Sequence, residues 1–271
     1  MSSFSKNIGK CTTIRPGHQN GCAGTEIETV MKKQTGVHLP TQRPLSTVDV
    51  VIFTVKEDQL QVLLVQRGSA DQEPFPGCWA LPGGFVNVAQ DATLLDCALR
   101  KLHEKTGVQA PYLEQVGSWG GAGRDPRGWS ATHVYFALVP WQEVQAAAHT
   151  NVSDAQWFAA EKCTTMKLAF DHHELFQATL ERLRSKVEYT SLPAFLLPEP
   201  FTLPQLQHMY EVVLGRPVDK SGFRTRMLAA EFLQEVGTVQ SDAPRAPMGY
   251  RLQHREAPVY FPRTFSPRGA K

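Results

Sequence analysis

The chain has 271 residues, 42% of them hydrophobic, and a formal net charge of +2. That composition is ordinary for a globular protein and long enough for two domains, and it excludes a collagenous, low-complexity or disulfide-stapled chain. No uninterrupted apolar run is long enough to span a bilayer, and the N-terminus, MSSFSKNIGK, lacks the apolar core of a secretory signal, so the expected location is cytoplasmic.

The five cysteines, Cys11, Cys22, Cys78, Cys97 and Cys163, are too widely spaced for a disulfide framework. Cys11, His18 and Cys22 do not have the spacing of a zinc knuckle, and no metal site is expected. Charge is uneven. Phe201 to Lys271 carries ten Lys/Arg against six Asp/Glu, a net of +4, which leaves −2 for the rest. A basic C-terminal piece points to a polyanionic partner.

Residues 1–44 show little periodicity and read as a partly disordered N-terminal extension. STVDVVIFTV (46–55) and LQVLLVQR (60–67) are β-branched and apolar, joined by polar KEDQ, which predicts a hairpin. PFPGCWALPGGFV (74–86) predicts a loop carrying one short strand. A helix follows, with Asp91 as the expected cap, Gly107 as the stop, and Leu94, Leu95, Ala98, Leu99 and Leu102 on one face. Strands are expected at 112–119, 132–139 and 155–158. A helix is expected over 171–189, where Asp171 and Glu174 have capping-box spacing; His172 and His173 read as its start, not as ligands.

Prolines in TSLPAFLLPEP (190–200) mark a domain boundary. TLPQLQHMYEVVLG (202–215) predicts a helix with Pro204 in its first turn and Gly215 at its end. After the turn RPVDK, a second helix is predicted over 221–237, ending at Gly237. Two short helices across a tight turn suggest a helix-turn-helix. MGYRLQ (248–253) and PVYF (258–261) are read as strands of a wing, and 263–271 as a basic tail. The expected domains are therefore 45–190 and 191–262.

The stretch LPGGFV…ALRKLHEKTGV resembles the Nudix box, G-x5-E-x7-R-E-U-x-E-E-x-G-U, where U is aliphatic. Gly84, Arg100, Leu102, Glu104, Gly107 and Val108 match. The resemblance implies an α/β fold: an α/β/α sandwich with a mixed sheet. The departures fall on the chemistry. Lys101 and Lys105 stand where glutamates belong, Gln90 or Ala92 replaces the early glutamate, and the glycine-to-arginine spacing is two residues longer. Three helix carboxylates would present −3 to magnesium, whereas Lys101, Glu104 and Lys105 sum to +1. Magnesium demands oxygen ligands, and a change of that size at contact range costs about several kcal/mol even when screened. Two readings of the helix stay open. Asp96, Arg100 and Glu104, at i, i+4 and i+8, form an exposed ion-pair ladder beside solvated lysines; or Lys101 and Lys105 hold an anionic diphosphate without metal.

FTLPQLQHMYEVVLGRPVDKSGFRTRML, with RDPRG, LAFDHHELF and ERLRSKVEYTSL, resembles the Nudix-related transcriptional regulators of NAD metabolism across most of residues 45–255. The resemblance implies a ligand-sensing Nudix domain fused to a C-terminal winged helix-turn-helix. It implies a homodimer, a double-stranded DNA operator, and ADP-ribose or a related NAD-derived nucleotide as effector, with repression lifted by ligand and no cofactor. The alternative is an active Nudix diphosphatase using Asp91, Asp96 and Glu104. For DNA, Lys220, Ser221, Arg224, Thr225 and Arg226 open the second helix, and Arg245, Arg251 and Arg255 lie in the wing region, which lacks the family's glycine-arginine-proline turn. Phe223, Met227, Leu228 and Phe232 are assigned to the core. For the ligand, the candidates are Arg67, Gly83, Gly84, Lys101, Lys105, Arg124 and Arg127. Trp79 fits either adenine stacking or the core.

Overall fold

The computed structural model describes residues 43–68, 73–108, 112–147, 155–240 and 246–262. The expected roles of the N-terminal extension, of Arg245 and of the tail lie outside them. Residues from Pro44 onward form one compact unit.

A mixed sheet organises its first part. β1 (Leu45–Lys56) and β2 (Gln59–Gln66) form the expected hairpin. β3 (Trp79–Ala80) pairs with β2, and β4 (Gly83–Phe85) with β1. β5 (Tyr112–Gly121) and β6 (Ser130–Leu138) are antiparallel, while β6 lies parallel to β1, and β7 (Ala155–Ala159) closes on β2. Strand side chains alternate between faces, so β1 feeds two cores. Val48, Val50 and Ile52 pack with Cys97, Ala98 and Leu102 of helix α1 (Leu94–Thr106). Val51 and Phe53 face the other side, where Leu175, Phe176, Leu180 and Leu183 come from a long helix. Between these helices in chain order lie two short ones, α2 (Trp141–Ala147) and α3 (Ala160–Cys163); the long helix is α4 (His172–Val187). The sandwich is the expected one.

Details of α1 differ from expectation. Its cap is Thr93, whose hydroxyl accepts from the Asp96 amide while Asp96 bonds back to Thr93. Asp91 turns inward to Arg100 instead. Leu95 and Leu99 are exposed, because the face against the sheet is set by Cys97, Ala98 and Leu102. Gly107 ends the helix as expected, at a φ of 69° that favours glycine. The expected capping box of α4 does not form: Asp171 occupies the cap position, but its carboxylate is held by Arg124.

A 3-10 turn, Leu192–Leu196, buries Leu192, Phe195 and Leu196 and joins the second core to a winged-helix unit. There α5 (Leu203–Leu214) starts at a Thr202–Gln205 capping box and ends at Gly215. α6 (Lys220–Ala229) is capped by Asp219 and buries Phe223 and Met227. The second helix is thus shorter than expected. Its apolar stripe stops at Met227, Glu231 takes a positive φ, and Leu233–Thr238 forms β9. Phe232 is buried as assigned, whereas Leu228 is exposed. β9 pairs with β10 (Met248–Leu252), which pairs with β8 (Phe201–Thr202). PVYF is not a wing strand: Val259 and Phe261 bond to Ser191 and Tyr189 at the domain joint.

Candidate functional site

A cleft opens at one end of the mixed sheet. Its walls include Thr47 and Asp49 of β1, Arg67 beyond β2, Gly83 and Gly84 of β4, Arg124, Asp125 and Arg127 of the β5–β6 loop, and Phe170 and His172 at the start of α4. β-Strands place their side chains by register, so Asp49 faces Gly83 across the β1–β4 pair. The loop is shaped by Asp125, which accepts from the Arg127 amide at 2.9 Å.

Each cleft arginine is held by an acid. Arg124 clamps Asp171 through Nε at 2.9 Å and Nη2 at 2.8 Å, and reaches Ser130 at 3.1 Å. Arg127 does the same to buried Asp125 at 3.0 and 2.8 Å. Burial raises the Asp125 carboxyl, but the bonds from Arg127 outweigh it and hold it below its ordinary value. Arg67 pairs with Glu73 and donates to the Pro74 carbonyl at 2.7 Å. The Arg67 and Arg127 guanidiniums lie 4.8 and 5.9 Å from the centre of the Phe170 ring. Planar, bidentate arginine groups suit phosphate oxygens.

His172 accepts from the Leu81 amide through Nδ1 at 2.9 Å, which leaves Nε2 to carry the proton, 3.7 Å from Asp49. Burial pushes its pKa down, against the pull of Asp49, so the ring is neutral at physiological pH.

The predicted residues Arg67, Gly83, Gly84, Arg124 and Arg127 are brought together here. Lys101 lies at the margin: a Cβ added to Gly84 would meet its Cε at 3.2 Å. Lys105 does not line the cleft. Trp79 packs edge-on against Phe158 at 4.9 Å, on the core side of its two roles. Asp49, Asp125 and Phe170, which sequence reasoning did not single out, also line the cleft, as does His172, which it read as the helix start. Asp49 had a signal, as the one carboxylate inside the apolar run STVDVVIFTV.

The family box implies a divalent cation, and the residues here do not fit one. Arg100 binds Asp91 at 2.8 and 2.6 Å and Glu104 at 2.9 Å, while Lys101 takes the other Glu104 oxygen at 3.0 Å. Asp96 is spent on the helix cap. Hydrogen bonding to Arg100 holds the Asp91 carboxyl well below the usual carboxylate range. Burial raises Glu104, yet Lys101 and Arg100 bring it below its ordinary value. The acids offered for a diphosphatase therefore do not converge. Among the described residues no group of three or more His, Cys, Asp or Glu could hold a metal ion.

The second candidate surface is α6. Lys220, Ser221, Arg224, Thr225 and Arg226 are all exposed, opposite buried Phe223 and Met227. Arg226 lies 5.0 Å over the Phe261 ring. On the wing, Arg251 donates to Gln234 at 2.9 Å. Arg255 lies 3.7 Å from Glu199.

Two family models match the chain: the NUDIX domain over residues 44–179 and the NrtR DNA-binding winged helix domain over 193–252. The chain is 45% identical to the ADPR responsive transcriptional repressor NtrR of Acinetobacter baylyi, over 81% of this chain and 86% of that protein. The chain belongs to the NrtR family. The crystal structure of Shewanella oneidensis NrtR superimposes with a TM-score of 0.73 at 43% identity, over 80% of this chain and 98% of that one. The same protein complexed with a 27mer DNA gives 0.71 at 44% identity, over 76% and 93%. NrtR membership accounts for both surfaces at once, a Nudix cleft and a winged helix in one chain. Among the described residues, no helix is long and apolar enough to cross a membrane.

Proposed function

We propose that this chain is a DNA-binding transcriptional repressor that acts as a homodimer. Its Nudix domain binds ADP-ribose or a related NAD-derived nucleotide and does not hydrolyse it. The observation that carries the reading is the state of Glu104. The box keeps this carboxylate, yet it sits between Arg100 and Lys101, while the nearby cleft presents Arg67, Arg124 and Arg127. Such a site can hold a diphosphate, but among the described residues no three potential ligands are grouped to hold the magnesium that would activate a water.

Helix α4 gives the ligand a mechanical route to the DNA-binding unit. Its first turn is tied to the cleft, through Arg124 on Asp171 and through His172 on Leu81. Its far end is tied to the winged helix. Arg184 donates to the Val213 carbonyl at 3.1 Å, Arg216 to Glu188 at 2.5 Å, and the Tyr210 hydroxyl to the Thr190 carbonyl at 2.7 Å. A phosphate that draws Arg124 from Asp171 acts on the element that carries α5 and α6. Operator affinity changes to the extent that the ligand prefers one arrangement. Two-fold symmetry predicts a roughly palindromic operator.

The test is fluorescence anisotropy on a labelled fragment from upstream of the chain's own coding sequence, at moderate salt, with random DNA as control. Specific, salt-sensitive binding weakened by ADP-ribose is expected. Absence of any preference over random DNA overturns the regulator, and magnesium-dependent release of AMP from ADP-ribose overturns the non-hydrolytic reading.

A further inference from the structure

A second cavity, of about 370 Å³, lies between the end of α4 and the helices α5 and α6. It shares no lining residue with the cleft of the mixed sheet. Its floor is apolar. Leu214, Val218, Phe223 and Phe261 line it with Tyr210, whose ring meets Phe223 edge-on at 5.1 Å. The Tyr210 hydroxyl is spent on the Thr190 carbonyl at 2.7 Å, so the tyrosine acts here as an apolar residue. Four charged side chains border the cavity. Arg216 is paired with Glu188 at 2.5 Å, and Asp219 caps α6 by accepting from the Gly222 amide at 2.6 Å. Arg226 differs. Its guanidinium lies 5.0 Å over the Phe261 ring, with no acid in ion-pair range among the described residues. Arg226 borders the cavity, whereas Lys220 and Arg224 of the same helix do not.

This combination selects a ligand class. Small-molecule sites are typically concave, of roughly 300–1,000 Å³, with apolar walls and a few placed polar groups. The apolar floor rewards an apolar body. The fork of Arg226, free of an acid, matches a carboxylate through two parallel hydrogen bonds. Glu188 and Asp219 stand on the same rim and oppose a second negative charge, which disfavours phosphate dianions and nucleotides. We propose that this cavity is a second ligand site, and that it takes a small monocarboxylate with an apolar body. Arg226 binds the carboxylate and the floor binds the body. Occupancy of this site does not depend on what the sheet cleft binds.

Isothermal titration of the full chain with 1-naphthylacetate, 1-naphthylacetamide and 1-naphthyl phosphate tests it. The three probes share a ring and differ in the charge of the headgroup. Wild type is expected to bind the acetate at one site, about tenfold or more tighter than the amide or the phosphate. Arg226→Gln is expected to bring the acetate down to the level of the amide. Val218→Phe, which puts a ring into the cavity, is expected to abolish saturable binding of the acetate. Titration with ADP-ribose should be the same in wild type and both variants. Lack of saturable acetate binding in wild type overturns the second site, as does equal acetate affinity in wild type and Arg226→Gln. Tighter binding of the phosphate overturns the monocarboxylate class. Unchanged acetate binding in a folded Val218→Phe places the ligand outside the cavity and overturns it too. Loss of ADP-ribose affinity in Arg226→Gln would mean one site, not two. Should Val218→Phe fold poorly by thermal melt, Arg226→Gln decides, because its side chain is exposed and its exchange leaves the core intact.

Discussion

The cleft and helix α6 both present cations, but they hold them differently. Arg67, Arg124 and Arg127 are each fixed by a carboxylate. Lys220 and Arg224 are exposed on α6 and have no ion pair among the described residues. A small ligand rewards fixed geometry, since groups already in place lose little freedom on binding. A DNA backbone rewards mobile charge that displaces counterions along a surface. The same residue type is thus pinned by acids in one region and left exposed in the other.

The largest expected effect separates the two. Arg224→Ala should weaken operator binding by roughly tenfold to a hundredfold, the range of a lost base contact, and leave ADP-ribose titration unchanged. Lys220→Ala should lower the salt slope of binding by about one. If Arg224→Ala instead weakens ADP-ribose, the two surfaces are not separable.

Arg124→Ala is the reciprocal experiment. It should weaken ADP-ribose roughly tenfold, as expected for a lost charged hydrogen bond. Because it removes the clamp on Asp171 that the ligand is proposed to release, it should shift ligand-free operator binding toward the liganded value and abolish any further response to ligand. Retention of the response would show that α4 is not the link.

Much of this division was legible in the residues. β-Branched runs announced β1 and β2, Gly107 and Gly215 marked helix ends, and the arginines of RDPRG fell in the cleft. What failed did so where a side chain had two possible partners. Asp91 and Asp171 both sit near helix starts, and tertiary arginines captured each of them. Leu95 and Leu99 fit the helical period as well as Cys97 and Ala98 do; only the position of the sheet chooses between them. Leu228, Phe232 and Val236 keep a four-residue spacing, but pairing with β10 makes Leu233–Thr238 a strand. Asp49 was passed over because pattern reading treats an acid in a buried strand as an interruption of the apolar run.

Acid stability sharpens the contrast further. Arg100 holds Asp91 well below its ordinary value of 3.8. The unfolded chain therefore takes up a proton that the folded chain refuses, so this contribution is complete above that value and is lost as pH falls below it. Asp91→Asn should lower the midpoint of thermal unfolding at neutral pH and flatten its decline between about pH 4 and pH 2. An unchanged acid profile would mean that Arg100 contributes nothing through Asp91.

The smallest expected effect carries the decision on catalysis. Glu104 is 43% exposed at its side chain, and its pairs with Arg100 and Lys101 lie on a helix surface. Such i, i+3 and i, i+4 pairs contribute roughly 0.2–0.5 kcal/mol each, so Glu104→Gln should shift the unfolding midpoint barely at all. If the chain were a working diphosphatase using Glu104, the same change would abolish turnover. Here AMP release from ADP-ribose in magnesium should be at background before and after the substitution, because Lys101 and Lys105 already stand where the other donors belong. Turnover that is present in wild type and vanishes in Glu104→Gln would mean that Arg100 and Lys101 yield this carboxylate to a cation. The cleft would then be an active site rather than a sensor.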